Sequence, residues 1–197
     1  MEFAKVPRAK LPTCWGEFKV YGFRDSESGE EAVALVAGEP DPGKPTLLRI
    51  HSQCLTGDVF GSERCDCNDQ LHAALQRIAE SGNGILIYQQ QEGRGIGLIN
   101  KIHAYELQDE GLDTVAANEK LGFKADCRDY RLPAEILKYL GVTRVRLMSN
   151  NPDKVNGLEQ EAIRVEERLP LEIPPRASTE EYLRIKKEKL GHLLSKI

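Results

Sequence analysis

Three short runs near the start of the chain, Glu17–Phe23, Glu31–Ala37 and Thr46–His51, carry the apolar and β-favouring residues of strands. Turn-rich stretches, SESGE and GEPDPGKP, separate them. The spacing then lengthens. Leu71, Leu75 and Ile78 recur every three to four positions and predict a helix from about Asp69 to Glu80, with Gly82 as its stop. Ile85–Gln89 reads as a strand and Leu98–Gln108 as a helix ended by Gly111. Ala134–Leu140 reads as a helix closed by Gly141, and strand Arg144–Met148 follows it. Helix Lys154–Ala162, strand Ile163–Arg168 and a last helix from about Thr179 to Leu194 complete the pattern. Strands first, then strand–helix alternation, predict an α/β fold: one layered domain over residues 1–197 with a mixed sheet. Its β-rich part covers about 1–67 and its alternating part about 68–197.

Composition narrows the class. The chain has 197 residues, 40% apolar and 29% charged, enough for a real core and unlike a disordered chain. No apolar run approaches the length of a membrane span, and the first residues lack a signal-like pattern, so a cytoplasmic address is expected. With 27 basic against 31 acidic side chains the net charge is −4. That balance argues against a nucleic-acid partner, which favours a basic stripe, and leaves room for a small anion held by a few placed cations.

Five cysteines suit a reducing compartment, and three of them fall close together. Cys65 and Cys67 are two apart, so in extended backbone their sulfurs share a side while Asp66 points away. Ten residues separate Cys54 from the pair, within reach through a loop at Gly57 and Gly61. C-x10-C-x-C is no zinc-finger spacing. Three local thiolates with an open fourth position suit a catalytic zinc, whereas three buried structural cysteines, or a site closed by His51, are the alternatives. His72 reads as solvent-facing.

Further polar chemistry sits in loops. ILIYQQQEGRGIGLINK passes from strand through a glycine-rich turn into a helix, and Arg94 there offers a planar cation for phosphate. It matches neither the dinucleotide fingerprint nor a P-loop. KADCRD places Asp126 beside Arg128, and SNNPDK follows a strand end, where ligand sites of α/β folds lie. Taken alone, each stretch is equally a plain turn or solvated loop.

Together these motifs resemble GTP cyclohydrolase II. The resemblance runs from KLPTCWGEF through CLTGDVFGSERCDC, QEGRGIGLINK, LGFKADCRDY and SNNPDKV to KLGHLL. It implies zinc-dependent opening of the guanine imidazole ring of GTP, with release of formate and pyrophosphate. The implied product is 2,5-diamino-6-ribosylamino-4(3H)-pyrimidinone 5′-phosphate, the first intermediate of riboflavin synthesis. It also implies a homodimer, zinc held by Cys54, Cys65 and Cys67, and magnesium at the triphosphate. The implied GTP contacts are Arg49, Ile50, His51, Ser52, Gln53, Gln70, Glu92, Gly93, Arg94, Thr114, Ser149 and Lys154. Asp126 matches the family's proton acceptor, Arg128 its proposed nucleophile, and Tyr105 a tyrosine of the ring-opening steps. Gln53, Gln90, His103 and Ala116 depart from the family's usual charged residues. They motivate the competing reading, a divergent relative that binds a purine nucleotide with partial, altered or no catalysis.

Overall fold

The computed structural model describes Phe3 and residues 5–197. Seven strands form in chain order: β1 (Arg8–Thr13), β2 (Gly16–Arg24), β3 (Glu31–Ala37), β4 (Thr46–Ser52), β5 (Gly84–Gln89), β6 (Arg144–Met148) and β7 (Arg164–Leu169). The helices are α1 (Leu55–Asp58), α2 (Cys67–Ser81), α3 (Leu98–Asp109), α4 (Thr114–Lys120), α5 (Arg131–Tyr139), α6 (Pro152–Gln160) and α7 (Glu180–Leu190). The contacts divide the chain into two compact units. One gathers residues up to His51, Leu71–Gln90 and Asp129–Leu171; the other gathers Ser52–Gln70, Gln91–Arg128 and Glu172–Ile197.

The first unit is built on the sheet, in the order β1-β2-β3-β5-β4-β6-β7. β1, β2, β3 and β5 pair antiparallel in succession, while β4, β6 and β7 pair parallel, so the sheet is mixed as expected. Period-two alternation supplies a core on each face. Ala32, Ala34, Val36, Ile85 and Ile87 meet Ile136 and Leu137 of α5 and Leu158 of α6. Phe18, Ala37 and Leu86 meet Ala74, Leu75 and Ile78 of α2. Each fully buried Leu or Ile contributes roughly 1.5–3 kcal/mol, so these two layers hold the sheet.

The second unit carries little sheet. α1, α3, α4 and α7 make it, with a tight turn at Glu92–Gly95. The Asp113 side chain caps α4 by accepting from the Val115 and Ala116 amides, and its other oxygen takes Lys189 of α7 at 2.6 Å. No helix among the described residues is long and apolar enough to cross a membrane.

Expected and observed elements agree except at particular points. β1, α1 and α4 are additional. α5 starts at Arg131 rather than Ala134, with Pro133 in its first turn, where its missing N–H costs nothing. α7 stops at Leu190, not Leu194, because Gly191 takes the left-handed cap conformation.

Gly38 marks where the backbone leaves no room. It sits at φ +67, and a Cβ there would lie 2.3 Å from the Gly82 carbonyl oxygen. Gly141 has a similar φ of +74 with open space around it. Gly141→Ala therefore costs only the left-handed penalty of about 1 kcal/mol, whereas Gly38→Ala costs at least about 2 kcal/mol. Urea unfolding of the two variants measures the difference.

Candidate active site and metal centre

Backbone first brings the three cysteines together. Cys54 ends the loop after β4, its amide donates to Asp58 at 3.0 Å, and Asn68 donates to the Asp58 carbonyl at 3.1 Å. Cys67 opens α2 rather than lying in an extended strand. The metal-binding atoms of Cys54, Cys65 and Cys67 lie within 4.8 Å of one another, and the Cys54 and Cys65 sulfurs are 3.6 Å apart. Tetrahedral zinc at ~2.3 Å from each sulfur requires sulfurs about 3.8 Å apart, so the donor set fits zinc in type and spacing. Gly57 makes the crowding possible: a Cβ there would sit 3.0 Å from the Cys65 sulfur and 3.1 Å from that of Cys54. Hydrogen bonds from Cys65 and Cys67 hold the Cys54 thiol well below its usual range, and the Cys65 and Cys67 thiols are raised in return.

A buried ammonium faces the same sulfur. Lys101 Nζ lies 3.2 Å from Cys54 Sγ, 2.9 Å from Thr56 Oγ1 and 2.8 Å from Glu92 Oε1. Burial alone would lower its pKa, but the Glu92 carboxylate and the Cys54 sulfur hold it above the ordinary lysine value, so it stays charged. The other Glu92 oxygen accepts from the Leu55 amide at 2.7 Å, tying the glycine-rich turn to the cysteine loop. Tyr105, one turn after Lys101 on α3, has its hydroxyl 3.2 Å from Thr56 Oγ1. Burial raises its phenol above the usual value, so it is protonated at neutral pH.

Asp66, between two of the cysteines, turns to a different partner. It is buried, accepts from Gln70 at 2.5 Å and pairs with Lys186 of α7 at 3.2 Å. Arg176, in the turn before α7, pairs with Asp69 at 2.8 Å.

The glycine-rich turn stores strain. Gly93 and Arg94 both take left-handed φ, 62° and 60°, and left-handed backbone on a non-glycine residue marks functional sites more often than ordinary turns. The Arg94 guanidinium reaches Thr114 at 3.4 Å and the Ala125 carbonyl at 3.5 Å. Asp126 receives the Arg128 guanidinium through Nε, at 2.9 and 3.1 Å, and through Nη2. Arg128 Nη1 also donates to Ser52 at 3.3 Å. Burial would raise the Asp126 carboxyl; Arg128 outweighs it and holds the group below its ordinary value. A cavity of about 440 Å³ opens here, lined by Lys124, Asp126, Cys127 and Arg128 among others.

The remaining expected contacts lie in the first unit, apart from half-buried Gln53 beside Cys54. Arg49, Ile50 and His51 are buried on β4. Arg49 donates to the Met148 carbonyl at 3.0 Å, Lys154 to that of Ile50 at 2.7 Å, and His51 stacks on Tyr88 with centroids 5.5 Å apart. Ser149 is buried, accepting from the Asn151 amide at 3.0 Å. His72 is exposed beside Trp15, as expected.

Lys101, Thr56, Asp66 and Lys186 were not among the expected functional residues. For Lys101 a signal exists: helical spacing puts it on one face with Ala104 and Tyr105, an inward face for a lysine. For Lys186 none exists, because its partner lies 120 positions away.

The sequence profile of GTP cyclohydrolase II matches residues 4–170. A GTP cyclohydrolase-2 of Shewanella amazonensis is 54% identical over 195 residues, covering 99% of this chain and 95% of its own. The riboflavin biosynthesis protein RibBA of Bacillus mycoides is 56% identical over 185 residues, covering 94% of this chain and 47% of its own. The chain thus spans about half the length of the RibBA relatives it matches.

Two variants test the geometry. If Arg94 carries backbone strain, Arg94→Gly unfolds at higher urea than Arg94→Ala, by about 1 kcal/mol, since both lose the guanidinium and only one keeps the strained φ. Because the Asp126 carboxyl is held below its unfolded value, its contribution is complete above the ordinary carboxylate range and is lost as pH falls through the folded value. Asp126→Asn therefore costs about 1 kcal/mol at pH 7, and the gap closes below about pH 4 in urea titrations.

Proposed function

The chain belongs to the GTP cyclohydrolase II family, and from that premise we propose that it opens the guanine imidazole ring of GTP. The reaction releases formate and pyrophosphate and leaves 2,5-diamino-6-ribosylamino-4(3H)-pyrimidinone 5′-phosphate, the start of riboflavin synthesis. The proposal takes residues 1–197 as one catalytic domain, acting in the cytoplasm as a homodimer, with zinc at the cysteines and magnesium at the triphosphate. The observation that carries it is the group of three cysteine sulfurs, of which that of Cys54 is bonded through Lys101 and Thr56 to the Tyr105 hydroxyl.

Cys54, Cys65 and Cys67 hold the zinc, which when bound supplies a Lewis acid and lowers the pKa of water. Tyr105, a protonated phenol, donates and recovers a proton at the purine during ring opening and loss of formate. Arg49, Arg94 and Lys154 supply positive charge for the triphosphate, and the left-handed turn at Gly93 and Arg94 lets backbone approach phosphate closely. Ile50, His51, Ser52, Gln53, Gln70, Thr114 and Ser149 complete the nucleotide contacts. Glu92 acts differently from a direct ligand, because both its carboxylate oxygens are engaged by Lys101, the Leu55 amide and the Gly93 amide.

Arg128 neutralises charge on the transferring phosphoryl group, with Asp126 as its orienting anion. A covalent role would need a neutral guanidine, and a two-pronged ion pair with Asp126 favours the charged form instead.

Zinc-loaded protein incubated with GTP and magnesium, with and without a chelator, tests the reading by mass spectrometry. Formate, pyrophosphate and the diaminopyrimidinone phosphate appear, and chelator abolishes them. Unchanged GTP, or accumulation of an uncleaved formamide, overturns it in favour of a nucleotide-binding relative with lost or partial catalysis.

A further inference from the structure

The Lys101 ammonium is placed where neither a surface lysine nor a substrate-binding one belongs. Its side chain is 10% exposed, and its Glu92 partner 7%. Of its neighbours, one is a metal-binding sulfur, one a carboxylate that anchors the cysteine loop, and one a hydroxyl that contacts Tyr105. Zinc with three thiolates would carry a net charge of −1, the Glu92 carboxylate adds another, and the buried Lys101 ammonium offsets one of the two. A charged N–H donor on a thiolate also withdraws electron density from the sulfur, so the metal that sulfur binds is left more electrophilic.

We infer that Lys101 is a positioning residue of the metal centre: it donates to the Cys54 thiolate and, through Thr56, fixes the Tyr105 hydroxyl relative to that sulfur. Helix α3 enforces the arrangement. Lys101 and Tyr105 are four residues apart and share a helix face, and the Lys101 nitrogen lies 5.5 Å from the Tyr105 ring centre. Gly93 clears the way for the lysine stem, since a Cβ there would fall 3.1 Å from Lys101 Cβ. Thr56 accepts from the ammonium, which leaves its own hydrogen and second lone pair for Tyr105 and the Cys54 sulfur, 3.7 Å away.

The kinetic part of this inference rests on the proposed GTP hydrolysis; the metal–thiolate part stands without it. The test uses cobalt(II)-substituted protein, whose sulfur-to-metal charge-transfer band reports the donor strength of the thiolates. In Lys101→Met the band moves to lower energy, because Cys54 loses its N–H donor. Lys101→Met strands the buried Glu92 carboxylate, so Lys101→Met with Glu92→Gln is measured beside it. The same band shift in that double variant assigns the effect to the lysine. With zinc and GTP, Lys101→Met loses about 10- to 100-fold in kcat while KM stays within about twofold, since the lysine acts through the metal ligands and not on the nucleotide. An unmoved band in both variants overturns the inference, as does a wild-type cobalt protein with no thiolate band. A shifted band in the variants, with no turnover even by the wild type, upholds the role at the metal and overturns only the proposed hydrolysis.

Discussion

Like charges crowded at one point are the constraint on which the second unit depends. Three sulfurs within 4.8 Å cannot all ionise unaided, because each pair of unit charges at ~4 Å repels by about 4 kcal/mol at the effective dielectric of a protein surface. A carboxylate, Asp66, sits in the middle of the same segment and adds to the problem. The fold answers with cations from distant parts of the chain. Lys101 from α3 faces Cys54, and Lys186 from α7 faces Asp66. The start of α2 at Cys67 adds the favourable end of a helix dipole, which stabilises an anion there by about 0.3–1 kcal/mol. This explains why a unit with little sheet carries two buried ion pairs.

The same constraint explains where backbone strain is tolerated. Gly57 has to be small because sulfur occupies the space a side chain would take. Gly93 has to be small because the Ile96 side chain and the stem of Lys101 both pass beside it. Arg94 has no such excuse of size. It keeps a left-handed backbone while its guanidinium reaches toward Thr114 and Ala125, and the Cys127 amide bonds its carbonyl at 3.0 Å. The turn is held from both sides, so the cost of its conformation is met by surrounding contacts, as expected where a backbone is shaped for a ligand.

The parts of this structure that rest on local periodicity were legible in the sequence. β2 to β7 and the long helices follow from alternation and three-to-four spacing. β1 did not, because an edge strand with Pro12 and several exposed positions shows no buried face to read. α4 is only seven residues long, yet its Asp113 cap was a readable signal. The cysteine group was legible because three thiols fall within fourteen residues, and the structure brings their sulfurs within 4.8 Å. Their charge partners were not: Lys186 lies in a basic run that reads as a solvated face, and only the tertiary structure turns that one lysine inward to Asp66.

That division bears on the residues where the chain departs from its family's usual motifs. Gln90 and His103 are exposed, and charges at exposed positions contribute little to neighbouring energetics because water screens them. Ala116 lies in α4, where its backbone amide takes the Asp113 cap and an alanine side chain suits the helix. Gln53 stands next to Cys54, but the bonds that organise the sulfurs come from Asp58, Lys101 and Thr56. None of the four departures falls on a side chain of the network joining Cys54 to Tyr105, or on the pair Asp126–Arg128. Gln90 and His103 are exposed and Gln53 and Ala116 partly so, and beside all four the bonds from Cys54 through Lys101 and Thr56 to Tyr105 are intact.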